Sequence, residues 1–330
     1  MNPSLQRRCD RFIENSRFHP ERIRVFAQGD SWLSLPGGLW SGRNVAENLA
    51  SSEWAEDNGR EPMNVLSVAN PGKTLEKMAS DPDLLDVLTY LQLRSERDQR
   101  HYGFDAVIIT GGGNDVLDNP RALIGPGAGQ GAVKPDMLAA ALERIKGAWQ
   151  SLFAVFGPWN VPIMSHGYGP IFPTLESATI VIPGKTIGPW VGPYLIRELG
   201  LSPARARALV AEVLDALNDT LRAMPGISYL DVRALVAAVP KSGWHDEIHF
   251  LEPGWSDLSL AWHDHITENA QAAGTAAATT RRNLANAIVS AQPLQVERVS
   301  ALIPPTTSGR RRVAKTPKRH AGGDRRKKNA

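Results

Sequence analysis

Phe104-Asp105-Ala106-Val107-Ile108-Ile109-Thr110-Gly111-Gly112-Gly113-Asn114-Asp115 carries the plainest signature of the fold. Its first seven residues are nearly all apolar or β-branched, with no polar alternation, which fits a strand covered on both faces as in a parallel sheet. The three glycines then let the chain turn sharply and leave Asn114 at the lip of the turn. Four other segments have the same character: Ile23–Gln28, Asn64–Ala69, Val161–His166 and Ile227–Asp231. Helical patterns lie between several of them. Pro82–Arg100 follows the second strand, Met137–Phe156 follows the third, and Ser202–Met224 precedes the fifth. Ser202 is placed to cap that last helix with Pro203 at its first position, and Pro225-Gly226 ends it. Strands and helices alternating at this spacing predict an α/β protein with an open, five-stranded parallel sheet in three layers. In such sheets ligands gather beyond the carboxyl ends of the strands.

The 330 residues are 42% hydrophobic and 22% charged, an ordinary balance for a globular chain able to bury a core. One cysteine, Cys9, excludes an intrachain disulfide framework and a cysteine-based zinc site. No apolar run approaches the roughly 18 residues of a membrane span, and the first residues lack a signal-peptide core, so the expected compartment is the cytoplasm. The net charge of +3 hides an asymmetry. Arg310–Ala330 holds ten Lys or Arg against Asp324 alone, so the rest of the chain is acidic at about −6. The expected organisation is a helical lead-in over 1–22, one α/β domain over 23–269, an Ala-rich extension over 270–303 and a disordered basic tail over 304–330. The tail is a candidate contact for polyanions.

Unusual residues collect at the strand ends. The first strand runs into Gly29-Asp30-Ser31-Trp32, where a serine at a strand-to-helix turn can project its hydroxyl into the crevice or merely cap the helix. The second ends Asn70-Pro71-Gly72-Lys73-Thr74. Gly-Lys-Thr suggests a phosphate loop, but that loop needs a glycine where Ser67 stands. What remains is a tight turn whose Gly72 N–H can face the crevice. Asn114, after the third strand, offers a neutral amide donor suited to an oxyanion. Asp246 and His249, three apart in Trp244-His245-Asp246-Glu247-Ile248-His249-Phe250, can bring a carboxylate to an imidazole. A metal site is the competing reading, from His245, His249, His263, Asp264 and His265, although Asp246 stands where a His-Glu-x-x-His pattern needs Glu.

In this order the four blocks resemble those of the SGNH (GDSL-type) hydrolase family over residues 23–266. The resemblance implies a flavodoxin-like three-layer α/β/α sandwich. It also implies a serine mechanism on carboxylic esters that requires no cofactor. Ser31 would be the nucleophile, His249 the base and Asp246 its partner, with Ser31, Gly72 and Asn114 forming the oxyanion hole. Trp32 replaces the leucine usual after the nucleophile. Trp32, His166 and Tyr168 are expected to line the substrate pocket, with Trp190 and Tyr194 as further aromatic candidates for its wall. The long segments Asp118–Pro135 and Ile171–Gly200 should emerge on the same face, and the second, richer in aromatic and apolar residues, is the expected pocket wall. Two other readings stand beside this one: a metal-dependent hydrolase using the histidines, and a binding module tethered through the basic tail.

Overall fold

The computed structural model describes residues 1–35, 43–176, 178–179 and 186–290. The chain divides into two units, residues 1–279 and 280–330. The expected basic tail over 304–330 lies outside the described residues. The first unit is built on five parallel strands: β1 (Arg24–Gly29), β2 (Asn64–Ser67), β3 (Ala106–Thr110), β4 (Ile163–His166) and β5 (Ile227–Leu230). Their order is β2-β1-β3-β4-β5, and every pairing is parallel. This is the flavodoxin-like order. All five strands fall within the segments read from the sequence, give or take a residue at their ends.

The principal helices are α1 (Pro3–Phe18), α2 (Ser31–Ser34), α3 (Pro82–Asp98), α4 (Gly113–Leu117), α5 (Pro135–Phe156), α6 (Pro203–Ala223) and α7 (Glu252–Ser290). Their starts are set by local chemistry. The Asn2 and Asp81 side chains accept from N–H groups in the first turns of α1 and α3, each with proline next in the chain. Ser202 caps α6 by accepting from Arg205 N–H.

Two layers of helix cover the sheet. On one face Phe12 of α1 meets Phe104, and Phe26 of β1 meets Phe156 of α5, with ring centroids 5.5 and 5.3 Å apart. On the other, Asn48 and Trp54 hydrogen-bond Ser259 and Ser256 of α7, both at 3.0 Å. Trp262 of α7 packs on His166 there. The lead-in helix α1 is part of this core, burying Leu5, Cys9, Phe12 and Ile13.

The sheet order places β1 between β2 and β3, so the chain ends of all three converge. Gly29 pairs with Thr110, and Asn70 N–H donates to Gly29 O at 2.9 Å. The connection after β1 runs to β2 on one side and that after β3 to β4 on the other, so a crevice opens between the ends of β1 and β3.

Candidate active site

Asp30 is the first residue past β1, and its carboxylate caps α2 by accepting from Trp32 N–H at 3.0 Å. Two further groups hold the same side chain: Thr110 Oγ1 donates to it at 3.2 Å and Tyr168 Oη at 2.5 Å. Ser31 therefore starts a helical turn whose capping residue is held by three donors. Its hydroxyl lies 2.8 Å from His249 Nε2.

His249 is presented by a tight loop closed by a bridge between Trp244 and Phe250. Asp246 braces this loop from inside. Its Oδ1 accepts from the N–H groups of Ile248 and His249, both at 2.8 Å, and its Oδ2 lies 2.8 Å from His249 Nδ1. A proton on Nδ1 satisfies that contact and leaves the Nε2 lone pair facing the Ser31 hydroxyl. Burial, the largest influence on Asp246, pushes its pKa up. Hydrogen bonds from His245 and His249, with the attraction of His249, outweigh it and leave the carboxyl well below its ordinary range.

Gly72 and Asn114 line the same crevice as Ser31 and His249. Gly72 has φ +74, a left-handed conformation that L side chains rarely adopt, which explains glycine there although no neighbouring atom crowds it. Asn114 donates one amide hydrogen to Lys73 O at 3.0 Å. A primary amide has two, so the second remains for a ligand. The Lys73 side chain turns away to Asp81, and Thr74 caps the short helix Leu75–Ala79, so Gly-Lys-Thr serves as a structural turn.

The crevice encloses a cavity of about 120 Å³. Opposite the polar groups its lining is apolar: Leu35, Leu117, Ile171, Trp190, Leu214 and Ile248. Trp32 and Tyr168 contribute to the lining. His166 does not. It is fully buried, its ring packs 5.2 Å from Trp32 and 5.7 Å from Trp262, and its Nδ1 faces Gly167 O. The last residue of β4 points into the helix layer rather than past the strand end. Burial accordingly depresses its pKa, leaving a neutral ring.

Of the segment Ile171–Gly200, Ile171 and Trp190 form pocket wall, and Trp190 packs edge-on to His249 with centroids 5.6 Å apart. Tyr194 instead donates to Ile124 O at 2.8 Å. The segment Asp118–Pro135 contributes only Asp118. Most of it forms a short helix, Pro120–Leu123, and a two-stranded hairpin, Ile124–Gly125 with Ala132–Val133. Arg205 of α6 holds that hairpin through the carbonyls of Gln130 and Gly131.

Of the histidines in the metal reading, His245 and His249 share one partner, Asp246, and the others face elsewhere. His249 is turned to Asp246 and Ser31. His263 Nε2 donates to Glu61 O at 3.0 Å, and His265 Nε2 contacts Ser228 Oγ at 3.0 Å. Among the described residues no three His, Cys, Asp or Glu are grouped so as to hold a metal ion. Nor is any described helix long and apolar enough to cross a membrane.

Asp30 and Glu247 are the residues that sequence reasoning missed. Asp30 carried a signal, an aspartate just before a helix start. Glu247 carried none, because its partners are the distant backbone N–H groups of Thr174, Trp190, Val191 and Gly192.

Sheet order and motif placement agree: each of the first three blocks follows the strand it should, and the fourth meets them across the crevice. The chain resembles the SGNH hydrolases in fold as well as in motif order. No family model matches the sequence, and no curated protein matches it. Among solved structures it is similar to a lipase from a goat rumen metagenome, at 14% identity over 74% of this chain and 97% of that one, with a TM-score of 0.44. A catalytic mutant of an acetylxylan esterase from Geobacillus stearothermophilus matches at 13% identity over 74% and 94%, with a TM-score of 0.38. A lipase/acylhydrolase from Enterococcus faecalis matches at 15% over 74% and 95%, with a TM-score of 0.36. Similarity at this level speaks to neither substrate nor reaction; the SGNH resemblance rests on the blocks and the sheet.

Proposed function

We propose that the protein is an SGNH-type serine hydrolase of carboxylic esters. The observation that carries this reading is the unbroken relay from Asp246 Oδ2 to His249 Nδ1 and from His249 Nε2 to Ser31 Oγ, each link 2.8 Å. A serine hydroxyl is a weak nucleophile until a base removes its proton. In the proposed reaction His249 takes that proton as Ser31 Oγ bonds to the ester carbonyl carbon. The carbonyl electron pair moves onto oxygen, and the resulting oxyanion is met by the N–H groups of Ser31 and Gly72 and by the free amide hydrogen of Asn114. Asp246 stabilises the imidazolium. The tetrahedral species collapses as the alkoxide leaves with the proton from His249, giving an acyl-Ser31 ester. Water then repeats the cycle, losing a proton to His249, and releases the acid and the Ser31 hydroxyl.

The test is hydrolysis of p-nitrophenyl acetate and butyrate by wild type, by Ser31→Ala, and by wild type with EDTA. Ser31→Ala should lose activity by about 10⁴-fold or more, since nucleophile and base act as a unit. EDTA should leave the wild type unchanged. Retained activity in Ser31→Ala together with loss in EDTA would overturn the serine reading and return the metal-dependent one.

A further inference from the structure

Glu247 is fully buried and sits inside the same four-residue turn that carries Asp246 and His249. Its side-chain hydrogen bonds go to a different part of the chain. Oε1 accepts from Thr174 N–H and Gly192 N–H, both at 2.8 Å, and Oε2 accepts from Trp190 N–H at 2.5 Å and Val191 N–H at 3.0 Å. Its backbone carbonyl accepts from Phe172 N–H at 3.1 Å. One residue thus joins both ends of the excursion that begins at Ile171 and returns at Trp190. The two ends also touch directly, because a Cβ at Gly192 would overlap the carbonyl of Thr174.

The residues gathered this way are pocket wall. Ile171 and Trp190 line the cavity, and Trp190 is the one whose ring lies against His249. The cavity, about 120 Å³, is well below the roughly 300–1,000 Å³ of pockets that take drug-sized ligands. A compact acyl group fits such a space beside Ser31; a long chain would have to displace the wall.

Resting on the reading of Ser31 as nucleophile, we infer that Glu247 is a positioning residue that holds Trp190 against His249 and so restricts the enzyme to esters of short acyl groups. Glu247 touches no reacting atom. Its effect passes through the Trp190 backbone to the wall, so it acts on which acyl chain is accepted. Replacing one carboxylate oxygen by an amide sets an N–H₂ group against two backbone N–H donors in a buried site, which must part.

The experiment measures kcat and KM on p-nitrophenyl acetate, butyrate and octanoate, with labelling of Ser31 by a fluorophosphonate as a separate readout. The wild type should favour acetate over octanoate in kcat/KM by at least about tenfold. Trp190→Ala and Glu247→Gln should each raise the octanoate-to-acetate ratio by about tenfold, mainly through KM, and the double variant should go no further than either one. A wild type that prefers octanoate, or a Glu247→Gln that lowers kcat equally for every chain length with the ratio unchanged, overturns the inference. So does a Trp190→Ala with the wild-type ratio. Hydrogen exchange on the wild-type chain covers the case in which Glu247→Gln does not fold: the amides of Thr174, Trp190, Val191 and Gly192 should exchange slowly and as a group, and fast exchange there overturns the inference. Absence of Ser31 labelling in the wild type would instead defeat the proposed function itself.

Discussion

The crevice has a floor and a wall, and they are built in opposite ways. The floor is made at strand ends mostly by short-range devices: Asp30 capping the turn that bears Ser31, Gly72 in a left-handed turn, Asn114 after three glycines, and Asp246 bracing His249 three residues on. The wall is made at long range. Trp190 is held by a carboxylate 57 residues further along the chain, and Thr174 by the same carboxylate 73 residues away. Short-range devices fix geometry to within a bond rotation, which suits the placing of reacting atoms. Replacing Trp190 in that wall breaks no hydrogen bond of Ser31 or His249. The division predicts that floor substitutions change rate for every substrate alike, and wall substitutions change which substrate is taken.

After Ser31→Ala, Asp246→Asn is expected to strike the floor hardest. The asparagine can still accept from Ile248 and His249 N–H, so the loop should persist. Its amide hydrogens would then face His249 Nδ1 and drive the ring proton to Nε2, where no lone pair remains for the Ser31 hydroxyl. A loss in kcat on the order of 10⁴ is expected, uniform across acetate, butyrate and octanoate esters. A loss confined to one chain length would break the distinction between floor and wall. The depressed pKa of Asp246 also adds to stability on the acid side. What this carboxylate contributes is complete above the ordinary carboxylate range and is lost progressively as pH falls from that range to its lowered folded value.

Asn114→Ala is the next effect in size. Removing one oxyanion donor costs roughly 10²–10³ in kcat, again at every chain length. The hydrogen bond to Lys73 O disappears with it, so a melting curve taken beside the kinetics separates the two losses. A large fall in stability with kcat unchanged would make Asn114 a loop brace and remove it from the oxyanion hole.

The same division explains what could be read from the sequence. Strands were legible because buried parallel strands are unbroken apolar runs, and all four blocks were legible because each lies within a few residues of a strand end or a cap. His166 departs from its expected place for a specific reason. It closes β4, but alternation along a strand sends neighbouring side chains to opposite faces, and nothing local says which face the last residue takes; the ring went to Trp262. Tyr168 lines the cavity, and its second task, donating to Asp30 across 138 residues of chain, has no sequence signal. Glu247 is the extreme case. Within its own heptapeptide it reads as a solvated acid, and only the folded loop supplies its four donors.

The floor also contains a carboxyl group that works against stability. Asp115 follows Asn114, is half-buried, and accepts from Leu75 N–H at 3.0 Å. Burial, with smaller contributions from Asp30 and Asp118, raises its pKa to about 6. A raised carboxyl pKa means that the folded state holds its proton more tightly than the unfolded chain does. Folding is therefore favoured below the unfolded value and weakened as pH climbs from about 4 to about 6, by on the order of 3 kcal/mol for a shift of this size. Asp115→Asn keeps an acceptor for Leu75 N–H and removes the titration. The variant should match wild type in urea unfolding at pH 4 and exceed it at pH 8 by about 3 kcal/mol. Equal stability at both pH values would show that Asp115 ionises as freely in the fold as outside it. A gain at pH 8 paired with slower ester hydrolysis at all chain lengths would place the Asp115 charge among the groups that hold the floor in working geometry.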